Sequence, residues 1–316
     1  MENSATPSVC IVITCYNYAQ YVGRAIRSAL NQDYSNLHLL IINDGSTDNS
    51  SEVINQEIAG KENVKFIDNE FNSGVSKVFN IGRKYAVDNG FNFAIMLDAD
   101  NEFYPDHISK LVKTAETESA DVVYVNFHFI DDKGQVIRTH IYDEYIPRLL
   151  RVSNYMDLSS LIRTNFFAVV EFDESLKTYQ DWDIMLQLET AGARFVRARD
   201  CFLRYFFHED GNNHKIGDIK SLQQHFEMLH HIVGKTGDDH TSTFDALYHY
   251  APLICKASNG YIELLDVVDN YNKVTAFNED KIARLEEKVR ELETSRSFRL
   301  GRLLTAPLRL FALRAR

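Results

Sequence analysis

The first hundred residues alternate between two hydrophobic periodicities. SVCIVITC is an unbroken, β-branched apolar run of strand length. Over residues 18–32 the apolar positions move to helical spacing, with Tyr21, Val22, Ala25, Ile26, Ala29 and Leu30 on one face. LHLLIIND predicts a second strand, closing in the turn residues Asn43, Asp44, Gly45 and Ser46. Residues 46–57 predict a second helix, NVKFIDN a third strand, residues 75–89 a third helix and FNFAIMLDADN a fourth strand. Four apolar strands joined by helices predict a mostly parallel sheet covered on both faces.

Beyond residue 103 the pattern loosens. A helix over 106–117 leads to DVVYVNFHFI, a turn at Asp131-Asp132-Lys133-Gly134 and QVIRTHIY, which together predict a hairpin. Residues 179–191 predict another helix, and RFVRARDCFLRYFFH predicts final strands. Residues 216–275 read as mainly helical. Ile282, Leu285, Val289 and Leu292 then follow 3, 4, 3 spacing among charged residues, a short coiled-coil seam over 276–295. The expected organisation is a catalytic domain over 1–215, a helical extension over 216–275, the short coiled coil and a tail over 296–316.

Composition narrows the function classes. The chain has 316 residues, 45 acidic against 34 basic, for a net charge of −11. Such acidity argues against a general nucleic-acid binder, which needs a basic face. The −11 also averages two unlike parts. Residues 296–316 hold six Arg and no acid, so the rest carries −17, the −11 of the whole less the +6 of the tail. Phe298, Leu300, Leu303, Leu304, Leu308, Leu310, Phe311 and Leu313 interleave with those arginines, a basic amphipathic pattern suited to an anionic membrane surface or to a partner. No run of 18 apolar residues predicts a spanning helix, and the N-terminal residues lack a signal-peptide pattern. Cys10, Cys15, Cys201 and Cys255 form no CxxC pair and predict buried thiols in a reducing compartment.

In open α/β sheets ligands bind beyond the carboxyl ends of the strands. Four successive strand ends carry polar residues there: Tyr16 and Asn17, Asp44 and Ser46, Asn72 and Gly74, Asp98 and Asp100. Asp98 and Asp100 are two apart at a strand end, so both carboxylates can face one site. A carboxylate pair of this kind suits a hard divalent cation, Mn²⁺ or Mg²⁺, which takes its other ligands from phosphates and water.

Four ordered segments resemble inverting glycosyltransferases of family 2, which have the GT-A fold. They are VCIVITCYNYAQYVGRAIRSALNQDYSNLHLLIINDGSTDNS, NSGVSKVFNIG, MLDADNEFYPDHI and FDESLKTYQDWDIMLQLETAG. The resemblance spans residues 8 to about 214. It implies that Tyr16 packs on the nucleotide base with Asn17 and Ser46 beside it, and that Asp44 hydrogen-bonds the base, typically uracil. It further implies that Asn80 contacts the donor, that Asp98 contacts the ribose or metal shell, and that Asp100 ligates the metal. Asp181 matches the general base and His208 a late metal- or diphosphate-side histidine. Asp183 is the alternative base. On a helix the two would diverge by about 200°, and the motif favours Asp181. Cys15, Asn43 and Gln180 depart from the family pattern, the last replacing a Glu beside the base.

The implied partners are a nucleoside-diphosphate sugar, with UDP favoured, and a glycan or lipid-linked acceptor. The implied setting is surface-polysaccharide synthesis on the cytoplasmic face of the inner membrane. The coiled coil would serve a homo-oligomer or another partner. Three other readings compete. A nicotinamide dehydrogenase or a nucleotidyltransferase would need a Gly-rich loop after the first strand, where TCYNYAQ has no Gly. A non-catalytic scaffold working through the C-terminal helix would need the retained Asp44, Asp100 and Asp181 to be incidental.

Overall fold

The computed structural model of the chain describes residues 6–150, 154–176 and 178–206. The alternation read from the sequence appears as β1 (Val9–Cys15), α1 (Ala19–Leu30), β2 (Leu37–Asp44), α2 (Ser50–Ile58), β3 (Val64–Asn69), α3 (Val75–Asp88) and β4 (Phe93–Asp98). There follow β5 (Glu102–Phe103), α4 (His107–Thr117), β6 (Val122–Ile130), β7 (Val136–His140), α5 (Pro147–Leu150), β8 (Leu161–Arg163), α6 (Thr164–Phe167), α7 (Gln180–Thr190) and β9 (Phe195–Phe206).

The strands form one nine-stranded sheet in the order β3-β2-β1-β4-β8-β6-β9-β5, with β7 added beside β6. The first four strands are mutually parallel, and β6 and β9 are parallel to each other. Between these two groups lies β8, antiparallel to both β4 and β6. The β6–β7 pairing is the expected hairpin. The unbroken apolar runs are unbroken because both faces are covered: Val9 to Ile13, Leu39 to Ile42 and Phe93 to Leu97 are all buried. Helix α3 lies so close to β1 that a Cβ on Gly82 would stand 2.6 Å from Val12 Cγ1.

Several expected boundaries shift. The second helix, expected from residue 46, begins at Ser50 because the residues before it form a turn. Asp48 Oδ1 accepts from Ser50 N at 3.0 Å and from Ser50 Oγ at 2.5 Å. The strands expected after residue 194 are one long strand, β9, whose register against β6 slips opposite Asn126. The buried Asn126 amide donates to Arg199 O at 2.9 Å and so satisfies the irregularity. Strands β5 and β8 have no counterpart in the sequence reading. Cys10, Cys15 and Cys201 are free and buried, as expected. No helix among the described residues is long and apolar enough to cross a membrane.

Candidate active site

The carboxyl ends of β1, β2 and β3 form one end of the site. In register, Cys15 lies opposite Asn43 and Asp44 opposite Asn69, so Tyr16, Asp44 and Asn69 stand roughly level. Tyr16 is 44% exposed there. Asn17 adopts a left-handed φ of 56°, which Asn tolerates through its short polar side chain. Its Oδ1 accepts from Thr47 N at 2.8 Å, and its own N–H donates to Ser46 Oγ at 2.9 Å. Asn17 and Ser46 therefore stitch the end of β1 to the turn after β2. Ser46 Oγ in turn donates to Asn43, which donates to Asp68 Oδ1 at 2.7 Å. An amide at position 43, where the family has an acid, can thus serve two partners.

Asp44 is buried, and its carboxylate works within the protein. It accepts from Asn69 Nδ2 at 2.9 Å, Ser73 Oγ at 2.8 Å, Ser73 N at 3.0 Å and Gly74 N at 2.9 Å. A carboxylate offers about four lone-pair sites. Asp44 thus clamps the β3–α3 loop at the end of β2. Asn80 is likewise held by protein partners. It spends both amide hydrogens on Phe172 O (2.9 Å) and Glu174 Oε1 (3.3 Å), and its Oδ1 accepts from Phe172 N (2.9 Å). It is a buried tie between α3 and the 172–174 segment.

The acidic end lies past β4. Asp98 keeps some solvent contact, yet its surroundings are dense. Burial, then the charges of Asp157, Asp100 and Asp181, hold its carboxyl well above the ordinary range. Four carboxylates from three chain segments therefore act on one another. Asp181, in the first turn of α7, is pushed up to about 6 by burial, with Asp157 adding to the rise and a 2.8 Å hydrogen bond from Asn154 Nδ2 opposing it. Tyr18 and Tyr142 face the same charges. The Tyr18 phenol is raised to about 12 by burial and by Asp100 and Asp98, and that of Tyr142 rises through burial, Asp157 and Asp181. Asp183 is turned inward: it is 2% exposed and its Oδ2 accepts from Gln187 Nε2 at 2.7 Å. Of the two candidate bases, Asp181 is the one within the carboxylate group.

Fixed elements hold these groups. Arg24 donates to Asp100 O at 2.9 Å, pairs with Glu102 at 2.7 Å and lies 3.4 Å over the Phe206 ring. Arg204 also pairs with Glu102. The chain just past the two aspartates is thus locked to α1 and β9. At the base, Tyr179 precedes α7 with a left-handed φ of 63°, an uncommon state for a non-glycine residue. Gln180 donates back to Leu176 O at 3.1 Å, away from the carboxylates.

Sequence reasoning missed Asp157, Asn154, Tyr18 and Tyr142. A signal for Asp157 was present in Asp157-Leu158-Ser159, an Asx turn in which Ser159 N donates to Asp157 Oδ1 at 2.7 Å. His208, the coiled-coil seam, the basic tail and Cys255 lie outside the described residues.

The donor set suits a hard dication. Its available atoms are carboxylate oxygens, and the burial and mutual repulsion that hold the Asp98 carboxyl up are what a divalent charge would relieve. Among the described residues no three His, Cys, Asp or Glu side chains are grouped to hold a metal on their own. A cation held by Asp98 and Asp100 would have to take its remaining ligands from diphosphate and water.

Comparison with known proteins adds to this geometry. The model of the family described as Glycosyl transferase family 2 matches residues 10–174. An uncharacterized glycosyltransferase of Rickettsia felis is 29% identical over 228 residues, 68% of this chain and 37% of that protein. The hyaluronan synthase of Pasteurella multocida is 25% identical over 282 residues, 88% of this chain and 28% of that protein. The chain thus spans about a third of the length of these curated relatives. Among solved structures, TarS of S. aureus in complex with UDP-GlcNAc superposes with a TM-score of 0.58 at 17% identity, covering 78% of this chain and 72% of that one. The mannosyltransferase PcManGT of Pyrobaculum calidifontis, in complex with GDP-Man and Mn²⁺, gives 0.60 at 14% identity, covering 98% and 87%. At these identities the structural likeness establishes the GT-A fold.

Proposed function

Since the chain belongs to glycosyl transferase family 2, we propose that it moves a sugar, with inversion, from a nucleoside diphosphate to a hydroxyl of a glycan or lipid-linked acceptor. The observation that carries this reading is the meeting of Asp181, from α7, with Asp98 and Asp100 at the end of β4. A single displacement needs a base on the acceptor side and charge relief on the donor side, close together. Asp181 takes the proton of the acceptor hydroxyl as its oxygen attacks the anomeric carbon and the bond to the nucleoside diphosphate breaks. A carboxylate poised near 6 is ionised at neutral pH and basic enough to share that proton. Asn154 fixes the carboxylate's rotation through Oδ2. Tyr16 supports the base, and the Asn17–Ser46 stitch and the Asp44 clamp hold the loops that frame it. Asp98 and Asp100 would hold Mn²⁺ or Mg²⁺, which supplies charge neutralisation at the departing diphosphate.

UDP is the favoured donor nucleotide, by the family resemblance and by the UDP-GlcNAc bound to TarS. Surface-polysaccharide synthesis is the favoured setting, in keeping with the hyaluronan synthase relative. The basic tail would place the enzyme on the cytoplasmic face of the inner membrane.

The test has two arms. A panel of UDP-, GDP- and dTDP-sugars with Mn²⁺ should raise the melting temperature with one nucleotide class. Asp181→Asn should cut transfer by at least about 10²-fold while keeping that stabilisation. Full transfer by this variant would move the base elsewhere.

A further inference from the structure

Phe71 is 73% exposed, the highest value for a large hydrophobic side chain among the described residues. An exposed phenylalanine at the tip of a mobile loop would mean little. This one stands on a loop fixed at both ends to one buried carboxylate. Asn69 holds Asp44 from one side, and Ser73 and Gly74 hold it from the other. Phe71 sits midway between the two anchors.

A second contact fixes its backbone. Gly45, at φ +67°, leaves no room for a side chain: a Cβ there would lie 2.4 Å from Phe71 C and 2.7 Å from Phe71 Cα. The turn after β2 therefore presses directly on the Phe71 backbone, and the ring is presented outward from a rigid base.

Strand spacing sets the distance to the other exposed ring of this end. Tyr16 follows β1 and Phe71 lies two residues past β3, with β2 between them. Adjacent strands are about 4.8 Å apart, so these ends are separated by about 10 Å. Two ring–ring contacts in series, each with centroids about 4.5–7 Å apart, need about 9 Å or more. The gap over Asp44 and Gly45 is wide enough for one flat ring between two others.

We propose that Phe71 forms the second wall of the nucleobase site, closing on the face of the base opposite Tyr16. The proposal rests on the glycosyltransferase reading and extends it with a residue that sets affinity for the base. It also gives the Asp44 clamp and Gly45 one shared purpose: to hold an apolar ring in water until a base covers it.

The full chain is titrated calorimetrically, in Mn²⁺, with UDP, GDP, dTDP and inorganic pyrophosphate. Stacking of this kind changes affinity by about 5- to 150-fold per base. Phe71→Ala should weaken the tightest-binding nucleoside diphosphate within that range and leave pyrophosphate unchanged, and Phe71→Tyr should restore the affinity. Phe71→Trp should report the contact directly, its emission quenched by the nucleoside diphosphate and not by pyrophosphate. Wild-type affinity in Phe71→Ala, or equal weakening toward pyrophosphate, overturns the second wall alone. A wild-type chain that binds none of UDP, GDP and dTDP overturns the donor reading, and the wall with it.

Discussion

Asp181 and Asp183 show what environment does to one side chain. Both are in the first turn of α7, yet one joins a group of carboxylates and the other is buried against Gln187. The acid limb of the pH profile should report the difference. Asp181 must be ionised to accept a proton, so kcat/KM should fall as pH drops through about 6. Asp157 adds to that elevation, and Asp157→Asn should therefore move the limb to lower pH. Burial, the larger cause, remains and keeps the limb above the ordinary carboxylate range. The Asn retains an oxygen for Ser159 N, so the local turn survives. A limb that does not move would mean that the two groups do not communicate.

At this scale the sequence was informative about residue types at strand ends and less so about their partners. Asp98 and Asp100 could be picked out because a strand end is readable from periodicity, and Asp181 because its segment resembles the family's base region. Asp157 shows only a local turn signal, because its segment has no periodicity and reaches the site through long-range contacts such as Met96 N to Leu158 O. Asp44 was found, but its clamping role depends on donors 25 to 30 residues away.

At the scale of elements, the long apolar runs were legible because complete burial demands complete apolarity. Strands β1, β2 and β4 fall within the predicted segments. β8, with three residues, is too short to establish any period. The closeness of α3 to β1 was likewise invisible, since a glycine within a helix reads only as a weak spot. The contact at Gly82 makes a clear prediction. Gly82→Ala improves helix propensity by about 1 kcal/mol, but its methyl would overlap Val12. Overpacking of about 1–3 kcal/mol should win, lowering the midpoint in urea. The double variant with Val12→Ala should recover part of the loss to overlap. A single variant more stable than the parent would show that α3 can lift off β1 at little cost.

At the scale of the whole chain, charge is segregated. Twenty-one C-terminal residues carry +6 and the other 295 carry −17. We expect a protein cut after Thr294 to keep donor hydrolysis and to lose sedimentation with phosphatidylserine vesicles in moderate salt. Equal sedimentation of the two forms would show that the tail is not the anchor. An acidic body facing an anionic surface is repelled, so the cationic tail would have to supply the attraction.

The shortness of β8 has a further consequence. It pairs with β4 only at Phe93 and Ala94 and with β6 only at Val122 and Val123. Beyond that point β4 runs on to Asp98 and β6 to Ile130 with no strand bridging them. The sheet is forked, with β8 as its crotch. The clefts of many enzymes are carved between domains, whereas this one is a missing length of ladder. Tyr142, tied near β6 through Asn126, and Asp157, tied near β4 through Leu158, occupy the opening between the tines. The residues that would extend the strand toward Asp98, Leu158 to Ser160, leave the ladder and keep one backbone bond to β4, from Met96 N to Leu158 O at 3.4 Å. The carboxylates of Asp98 and Asp157 thus meet where a strand stops early.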